Sequence, residues 1–339
     1  MTEKRVGLLG SAKFFEGYGA RVEAQADVAG VVIEQIIAPS THGHPWPEAR
    51  LAQIDAAFFS RDIWEGSTMS VPSPASSAFF EVADAAGALR WLHVTSAGTD
   101  LSPYRTSLTR GITISTSSGS NAEPIAQTVV AAVLAQSRGF PRWLNAQHRR
   151  TWCPHRGDDV PRDLRDQTAL IVGLGPIGLE IARLLHAVGL RTVGVRRSSA
   201  AAPNFDEVYS QADFSTLLPH CDWLVLCCPL TDETRLLMDH HRISLLAPHA
   251  RIANVGRGEL VDESALVSAL REGRLAGAYL DVFQHEPLPP DSPFWSLPNV
   301  WISPHNSASS RGNEARTAEI FLQNLELWLN ERTLINQHR

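Results

Sequence analysis

Short apolar runs alternate with amphipathic segments over roughly the first hundred residues of the chain. Runs of Val, Ile, Leu and Phe predict β-strands, and the segments between them, with apolar positions at helical spacing, predict α-helices. Strands that alternate with helices favour a parallel sheet covered by helices. The predicted strands are 5–10, 30–38, 54–60 and 89–96, and the predicted helices are 17–28, 46–53 and 75–87.

The rest of the chain contains a second series of the same kind. A long helix is predicted over 121–138, where Asn121 can cap the N-terminus and Pro124 falls in the first turn. Residues 140–165 are polar, rich in Trp and Arg, and show little periodicity, whereas the tail 312–331 has a helical apolar face. The strands of the second series are expected in TALIVGLG (168–175), LRTVGV, DEVYS, DWLVLCC, ARIANV, GAYLDVF and NVWISPH.

Composition supports two globular α/β domains. The chain has 339 residues, of which 44% are hydrophobic and 19% charged, a profile typical of soluble folded proteins. A net charge of −6 argues against a general role in binding nucleic acid or an acidic membrane surface. No apolar run approaches the roughly 20 residues needed to span a bilayer. The first residues, MTEKRVGLLG, do not resemble a signal peptide.

The cysteines give a further indication of the compartment. Cys153, Cys221, Cys227 and Cys228 show neither CxxC spacing nor the density of a disulfide framework. We therefore expect buried, reduced thiols and a cytoplasmic protein.

The sequence GLGPIG at 173–178 lies between an apolar strand and a helical pattern. In that context the first glycine permits a tight turn, the second lets the backbone approach a pyrophosphate, and the third lets helix and strand pack closely. The N-terminus of the following helix offers unpaired N–H groups to phosphates. The loop therefore predicts a dinucleotide site that contains Gly173, Gly175, Pro176, Ile177 and Gly178.

The sequence VGVRRSS at 193–199 indicates which dinucleotide is bound. Arg196 lies 18 residues after Gly178, where a site that selects NAD places an acidic residue against the ribose 2′-hydroxyl. An arginine there attracts the 2′-phosphate of NADP instead, and Arg197 and Ser198 add donors. A solvated basic loop is the alternative interpretation. We expect NADP(H) as the preferred cofactor and NAD(H) as one the site could also accept.

Four further motifs follow the glycine loop in order: CCPLTDETRLLMD (227–239), IANVGRGELVDESALVSAL (252–270), YLDVFQHEP (279–287) and ISPHNS (302–307). With these motifs the chain resembles the D-isomer-specific 2-hydroxyacid dehydrogenase family over most of its length. The resemblance implies two doubly wound parallel-sheet α/β domains. A flavodoxin-like substrate-binding domain would comprise 1–100 and 307–339, and a Rossmann NAD(P)-binding domain 101–306. The resemblance also implies a homodimer and a D-2-hydroxy acid product.

Reduction of a 2-oxo acid requires a hydride, a proton and a cation that fixes the carboxylate, and the cofactor supplies only the hydride. His305 is the candidate acid and base, because imidazole exchanges protons near physiological pH. Glu286 could fix its tautomer and stabilise the imidazolium. Arg257 could grip carboxylate and carbonyl oxygens through its planar fork. The catalytic Arg, Glu and His of the family fall at these three positions.

Other contacts are implied by the same resemblance. HVTSAGTDLS at 93–102 resembles the substrate loop of the family, in which the amides of Ser96, Ala97 and Gly98 would bind the substrate carboxylate. Asp281 matches the residue that hydrogen-bonds the nicotinamide carboxamide. The remaining expected cofactor contacts, most of them at the carboxyl ends of predicted strands, are Cys228, Pro229, Val255 and His305.

Several conspicuous residues carry no predicted chemistry. His42 and His44 have no partner cluster, so we expect no metal site. His240 and His241 are interpreted as the exposed start of a helix. Neither Cys227 nor Cys228 is interpreted as a nucleophile. Trp152 has no assigned role. In NAEPIAQ, at the start of the long helix, Pro124 and Gln127 depart from what is usual in the family.

The sequence therefore predicts an NADPH-preferring reductase of small 2-oxo acids, of the glyoxylate/hydroxypyruvate type. One alternative is an NAD-dependent phosphoglycerate or formate dehydrogenase, which the absence of a C-terminal regulatory extension and the form of the substrate loop disfavour. The second alternative is a non-enzymatic nucleotide-sensing scaffold, similar to the corepressors that share the fold. We expect a small-molecule substrate and no nucleic-acid or membrane partner.

Overall fold

The computed structural model describes residues 4–41, 43, 46–68, 71–99 and 101–338. The chain forms two compact units. The first comprises Met1–Ser120 and Ser310–Arg339, and the second comprises Asn121–Ser309. The C-terminal segment thus returns to the first unit.

Both units are built on a β-sheet. The strands are β1 (Lys4–Gly10), β2 (Val31–Ile37), β3 (Ile54–Phe59), β4 (Trp91–Val94), β5 (Thr113–Thr116), β6 (Thr168–Val172), β7 (Arg191–Arg196), β8 (Glu207–Ser210), β9 (Trp223–Leu226), β10 (Arg251–Asn254), β11 (Gly277–Leu280), β12 (Val300–Ile302) and β13 (Gln337–His338).

Helices connect most of these strands. The α-helices are α1 (Ala12–Val28), α2 (Glu48–Leu51), α3 (Arg61–Trp64), α4 (Pro74–Ala85), α5 (Ser102–Thr109), α6 (Ala122–Ser137), α7 (Phe140–His148), α8 (Pro176–Ala187), α9 (Phe214–Leu217), α10 (His240–Leu245), α11 (Glu263–Arg271) and α12 (Asn313–Leu329). None of the helices in the described part of the chain combines the length and apolarity needed to cross a bilayer.

The sheet of the first unit has the strand order β2-β1-β3-β4-β5-β13. Neighbouring strands are parallel, except that β13 runs antiparallel to β5. The order of β1 to β5 is that of flavodoxin-like folds.

The sheet of the second unit is parallel throughout, with the order β8-β7-β6-β9-β10-β11-β12. This is the doubly wound order of dinucleotide-binding folds, and it reverses direction between β6 and β9. The predicted fold class of two doubly wound α/β domains is confirmed.

Helix α12 completes the core of the first unit, far along the chain from the sheet that it covers. The ring of Phe321 stacks on Phe58 at 4.4 Å between centroids and on Trp91 at 5.4 Å. All three side chains are buried, so the tail is held by the same apolar cluster that joins the early strands.

The boundaries of the compact units differ from the expected ones. The first unit extends to Ser120 instead of residue 100, because β5 pairs with β4 and α5 precedes β5 in the same unit. The second unit ends at Ser309 instead of 306.

Local differences from the predicted helices have physical causes. Helix α1 begins at 12 rather than 17, because the Ser11 side chain caps it by accepting a hydrogen bond from the Phe14 amide. Asn121 stands at the N-cap position of α6, but its side chain makes no capping bond. Helix α7 lies in the segment 140–165, for which the sequence predicted no helix. The segment shows little apolar periodicity because Ala146 is the only side chain of α7 that is buried.

Candidate functional site

The predicted cofactor residues of the second unit lie along one edge of its sheet. Gly173 follows β6, Arg196 ends β7, Cys228 lies just beyond β9, Val255 follows β10 and Asp281 follows β11. These are carboxyl ends of parallel strands, which share an edge of the sheet. The order reverses there between β6 and β9, which is where ligands bind in sheets of this kind.

The three glycines of the loop 173–178 have different surroundings. Gly173 has a φ of +102°, and a Cβ built on it would lie 2.7 Å from the backbone of Cys228. A Cβ on Gly178 would lie 1.9 Å from the carbonyl oxygen of Gly173. A Cβ on Gly175 would meet no heavy atom within 4 Å. The fold therefore requires the first and third glycines, whereas the second faces open space at the N-terminus of α8, as an approaching pyrophosphate would need.

A pocket of about 390 Å³ lies beside this loop. It is lined by five of the predicted cofactor residues, namely Gly173, Arg196, Arg197, Cys228 and Pro229. The pocket is wide enough for part of a dinucleotide.

The guanidinium of Arg196 binds its own loop. Nε donates to the carbonyl oxygen of Ser198 at 3.2 Å, and one Nη donates to those of Ala200 and Ala201. Arg196 therefore shapes the turn after β7. Arg197 and Ser198 are exposed, and the contact of Ser198 with Arg196 runs through its carbonyl group and not through its hydroxyl.

An acidic residue that sequence reasoning did not identify, Glu233, also lines the pocket. A hydrogen bond from Thr231 holds the pKa of Glu233 below its usual value, with smaller contributions from its own backbone amide and from the charge of Arg197. Glu233 is thus ionised and within electrostatic reach of Arg197.

The loop that carries Arg257 is fixed from two sides. Asn254, the last residue of β10, donates a hydrogen bond to the carbonyl oxygen of Arg257 at 2.9 Å. A Cβ on Gly258 would lie 1.9 Å from the carbonyl carbon of Phe283. The absence of a side chain at 258 therefore lets the Arg257 loop contact the segment that leads to Glu286.

Glu286 and His305 form a hydrogen-bonded pair. Glu286 Oε2 lies 2.7 Å from His305 Nδ1, and the exposed fractions of the side chains are 16% and 33%. The Phe283 amide donates to the other carboxylate oxygen at 3.0 Å. Burial alone would raise the pKa of Glu286, but the His305 hydrogen bond and charge, the Phe283 amide and the charge of Arg257 outweigh it and lower the pKa. The carboxylate therefore stays ionised, and it orients the imidazole.

The buried carboxylate of Asp281 holds the loop on which His305 lies. It accepts hydrogen bonds from the hydroxyls of Ser303 and Ser307 and from the amides of Asn306 and Ser307. The His305 amide donates to the Asp281 carbonyl oxygen at 2.8 Å, and His305 has a φ of +51°. A positive φ at a residue other than glycine is a strained conformation that surrounding contacts must maintain. The hydrogen bonds to Asp281 provide the contacts that maintain this conformation of His305.

Ser96, Ala97 and Gly98 belong to the first unit, whereas Arg257, Glu286 and His305 belong to the second. The three residues follow β4, and Ser96 Oγ donates to the carbonyl oxygen of Gly98 at 2.8 Å. Within the described part of the chain, the amides of Ala97 and Gly98 donate to no protein acceptor. These amides are available to an anion.

The four cysteines are free; Cys221 and Cys228 are buried, as expected, whereas Cys153 and Cys227 are only partly buried. Burial raises the pKa of Cys221 to about 12 and that of Cys228 to about 11, so both thiols stay protonated. Cys227 donates to the carbonyl oxygens of Val172 and Gly173, at 3.3 and 3.1 Å, and thereby supports the glycine loop.

The residues without predicted chemistry have varied surroundings. His42 and His44 lie outside the described residues. Among the residues that the structure describes, no three His, Cys, Asp or Glu side chains are grouped in a way that could hold a metal ion. His240 and His241 begin α10 and are exposed, as predicted. Trp152 is 95% exposed.

Sequence reasoning missed the residues that support the site. Asn254, Ser303 and Ser307 contact the loops of Arg257 and His305, and Glu233 lines the pocket. A usable signal existed for Asn254, because it is a polar residue at the carboxyl end of a mostly buried strand.

A family model described as "D-isomer specific 2-hydroxyacid dehydrogenase, NAD binding domain" matches residues 130–307. This range contains the glycine loop, the Arg257 loop and the Glu286–His305 pair. It covers more than half of the chain.

Individual proteins show the same similarity. The chain is 36% identical to a glyoxylate reductase of Aeropyrum pernix over 63% of this chain and 66% of that protein. It is 32% identical to a glyoxylate/hydroxypyruvate reductase of Arabidopsis thaliana over 73% of this chain and 76% of that protein. The alignment with the first of these spans slightly less than two thirds of the relative. A D-isomer specific 2-hydroxyacid dehydrogenase family protein from Aeromonas salmonicida superposes with a TM-score of 0.74 at 27% identity, covering 100% of this chain and 99% of the other.

The glycine loop offers a test with a matched control. Gly178→Ala places a methyl group against a backbone carbonyl and is expected to destabilise the protein by about 1–3 kcal/mol. Gly175→Ala adds a methyl group in open space, so it should leave the thermal unfolding midpoint near that of the wild type while it weakens dinucleotide binding. Thermal unfolding and cofactor titration measure the two effects. Equal midpoints for the two variants would contradict this interpretation of the loop.

Proposed function

The chain belongs to the D-isomer specific 2-hydroxyacid dehydrogenase family, and on this premise we propose that it reduces small 2-oxo acids of the glyoxylate/hydroxypyruvate type to D-2-hydroxy acids, with NADP(H) as the preferred cofactor. Its family makes it an NAD(P)-dependent oxidoreductase that acts on CH–OH groups. The observation that carries the proposal is the Glu286–His305 pair, 2.7 Å apart, in the same unit as the glycine loop and Arg257.

His305 is the proposed proton donor. Glu286 is ionised and can only accept, so the hydrogen bond between them requires a proton on Nδ1 of His305. In the imidazolium the second proton is on Nε2. We assign to Nε2–H the donation of a proton to the carbonyl oxygen of the 2-oxo acid, and to Glu286 the stabilisation of the imidazolium before that step.

Arg257 is the proposed cation. Its guanidinium is half-buried, donates to the Gly256 carbonyl oxygen at 2.8 Å, and acts electrostatically on Glu286. A planar guanidinium can bind carboxylate and carbonyl oxygens together, which a single ammonium cannot. We also assign the substrate carboxylate to the amides of Ser96, Ala97 and Gly98, which makes the first unit the substrate-binding domain.

The residues of the second unit fit a nicotinamide dinucleotide. Open space at Gly175, the N-terminus of α8 and the adjoining pocket would hold its phosphates and adenosine. When bound, the reduced nicotinamide supplies the hydride to the carbonyl carbon. Most of the predicted contacts along the same edge become part of this proposal: Gly173, Pro176, Ile177, Gly178, Cys228, Pro229, Val255 and His305.

Asp281 has a second proposed role besides contact with the carboxamide. Its oxygens already accept four hydrogen bonds from residues 303–307, so its contribution to catalysis runs mainly through the position of His305. The preference for NADP(H) rests on Arg196, Arg197 and Ser198 at the end of β7. We also include a homodimer and a cytoplasmic location in the proposal, on the family resemblance and the free thiols.

Steady-state kinetics with a panel of small 2-oxo acids tests the function directly. With glyoxylate and hydroxypyruvate in the panel, kcat/KM is expected to be higher with NADPH than with NADH, because the pocket presents arginines where an NAD-selecting site presents a carboxylate. A lack of turnover on every acid would overturn the reductase proposal. Turnover with a higher kcat/KM for NADH would overturn only the cofactor preference.

The role of His305 is tested by His305→Ala. Loss of the proton donor is expected to lower kcat by about 10²–10⁴-fold and to change the dissociation constant of NADPH by less than about threefold. His186→Ala is the matched control, since His186 also lies near a carboxylate, with Nδ1 3.8 Å from Asp206, but is exposed on α8. If both variants retained wild-type kcat, the assignment of His305 would be wrong.

The pocket predicts opposite effects for two charge changes. Arg197→Ala should raise KM for NADPH by about tenfold or more, since a hydrogen bond to a charged group is worth about 1.5–3 kcal/mol, and should affect NADH little. Glu233→Gln removes a negative charge and should lower KM for NADPH. Arg183→Ala, on the exposed side of α8 beside Glu180, is the control. Equal changes for NADPH and NADH would refute recognition of the 2′-phosphate by Arg197.

A further inference from the structure

Buried side chains of β4, of β5 and of Ser117, the residue after β5, form a continuous chain of hydrogen bonds in the first unit. Trp91 Nε1 donates to Ser115 Oγ at 2.8 Å, and the same hydroxyl lies 2.7 Å from His93 Nδ1. His93 Nε2 lies 3.0 Å from Ser117 Oγ, which donates to the carbonyl oxygen of Val94 at 3.0 Å. All five residues are buried. A polar chain at this depth is stable only if each member finds a partner.

The donor and acceptor groups at the two ends of this hydrogen-bond chain fix the direction of its bonds. An indole N–H can only donate and a backbone carbonyl oxygen can only accept. The hydroxyl of Ser115 therefore accepts from Trp91 and donates to Nδ1 of His93. The proton of His93 is then on Nε2, which donates to Ser117, whose hydroxyl donates to Val94. Burial lowers the pKa of His93 to about 3, so the imidazole is neutral and has one donor and one acceptor nitrogen, as this chain requires.

The hydrogen-bond chain ends at Val94, and its last side chain, Ser117, also contacts the loop of Ser96, Ala97 and Gly98. The backbone amide of Ser117 donates to the carbonyl oxygens of Val94 and of Ser96, each at 3.0 Å. Ser96 in turn donates its hydroxyl to the carbonyl oxygen of Gly98 at 2.8 Å. Ser117 is thus bonded at its side chain to His93 and at its amide to the first residue of the loop. The position of the Ser96 peptide depends on that of Ser117.

We propose that His93 and Ser117 are positioning residues for the carboxylate of the 2-oxo acid, which they serve by holding the loop amides of Ala97 and Gly98 in place. The inference rests on the proposed function, because it takes that loop as the carboxylate site. Neither side chain contacts the substrate in this proposal. Their effect is on the geometry of the amides, and small displacements of positioning groups have large kinetic effects.

Three variants distinguish the effect of losing the hydrogen-bond chain from the effect of a change in packing. His93→Leu removes both ring nitrogens, and Ser117→Ala removes the last hydroxyl of the chain. His93→Gln keeps the chain, since a glutamine amide can accept from Ser115 on its oxygen and donate to Ser117 from its nitrogen. Ser107→Ala is the control, because Ser107 is an equally buried serine whose hydroxyl donates within α5 to the Pro103 carbonyl oxygen at 3.1 Å.

The kinetic readout is KM for the 2-oxo acid that gives the highest kcat/KM with wild-type protein. His93→Leu and Ser117→Ala should raise this KM about tenfold, as for a loss of about 1.4 kcal/mol in substrate binding. The KM for NADPH should change by less than about threefold. His93→Gln and Ser107→Ala should stay near the wild type. An unchanged substrate KM in both His93→Leu and Ser117→Ala, or the same rise in Ser107→Ala, would overturn the inference.

Hydrogen exchange gives a second readout that needs no turnover. A peptide that covers 93–104 should exchange faster in His93→Leu and Ser117→Ala than in the wild type, but not in His93→Gln. If wild-type protein reduces no 2-oxo acid, the proposed function is wrong. Hydrogen exchange that is the same in the variants as in the wild type would show separately that the hydrogen-bond chain does not order the loop. If wild-type protein is active and the variants keep its KM, only the positioning role is wrong.

Discussion

The carboxylate of Asp281 is the constraint on which the catalytic geometry of the second unit depends. A buried carboxylate is stable only when donors surround it. In this protein all four donors come from residues 303–307, so the charge that must be satisfied also determines the path of that loop. His305 is held at a φ of +51° by the same contacts, and this strained conformation places Nδ1 against Glu286. The hydrogen bonds of Asp281 thus stabilise a conformation that the loop sequence alone would not favour.

Contacts that do not involve Asp281 hold Glu286 within hydrogen-bond distance of His305. Glu286 is fixed by the Phe283 amide, and a side chain at Gly258 would clash with that same segment. The Arg257 loop is therefore limited by the backbone of the 283–286 segment, and that segment contacts the His305 loop through the hydrogen bond between Glu286 and His305. In the proposed mechanism the proton donor, its carboxylate partner and the cation are in this way positioned before substrate binds, which would reduce the reorganisation that the reaction requires.

Sequence alone predicted the parts of this arrangement that depend on local pattern. The glycine loop was predictable from the spacing of its glycines between a strand and a helix, and the strands because their apolar runs end where turn residues begin. The partners of Asp281 were not, because Ser303 and Ser307 resemble any loop serines until the chain brings them to β11. The same holds for Arg196, whose position predicted a phosphate contact but whose bonds to Ser198, Ala200 and Ala201 depend on how the loop turns back. The first compact unit extends to Ser120, beyond the predicted 100, because β5 pairs with β4, and this pairing is set by tertiary contacts.

The two units support their loops with different chemistry, and the difference suits what each loop has to do. In the proposed mechanism the imidazole on the 303–307 loop becomes a cation, and that loop is held by the buried carboxylate of Asp281. The 96–98 loop is proposed to present its backbone amides to a carboxylate, and it is bonded through Ser117 to a neutral hydrogen-bond chain that contains His93. The N–H and O–H bonds of this hydrogen-bond chain all point from Trp91 towards the carbonyl oxygen of Val94, the last residue of β4 before the loop. An ionised carboxylate at position 93 would instead oppose an anion there. Under the proposed function, a neutral hydrogen-bond chain with this direction therefore suits a loop that binds an anion.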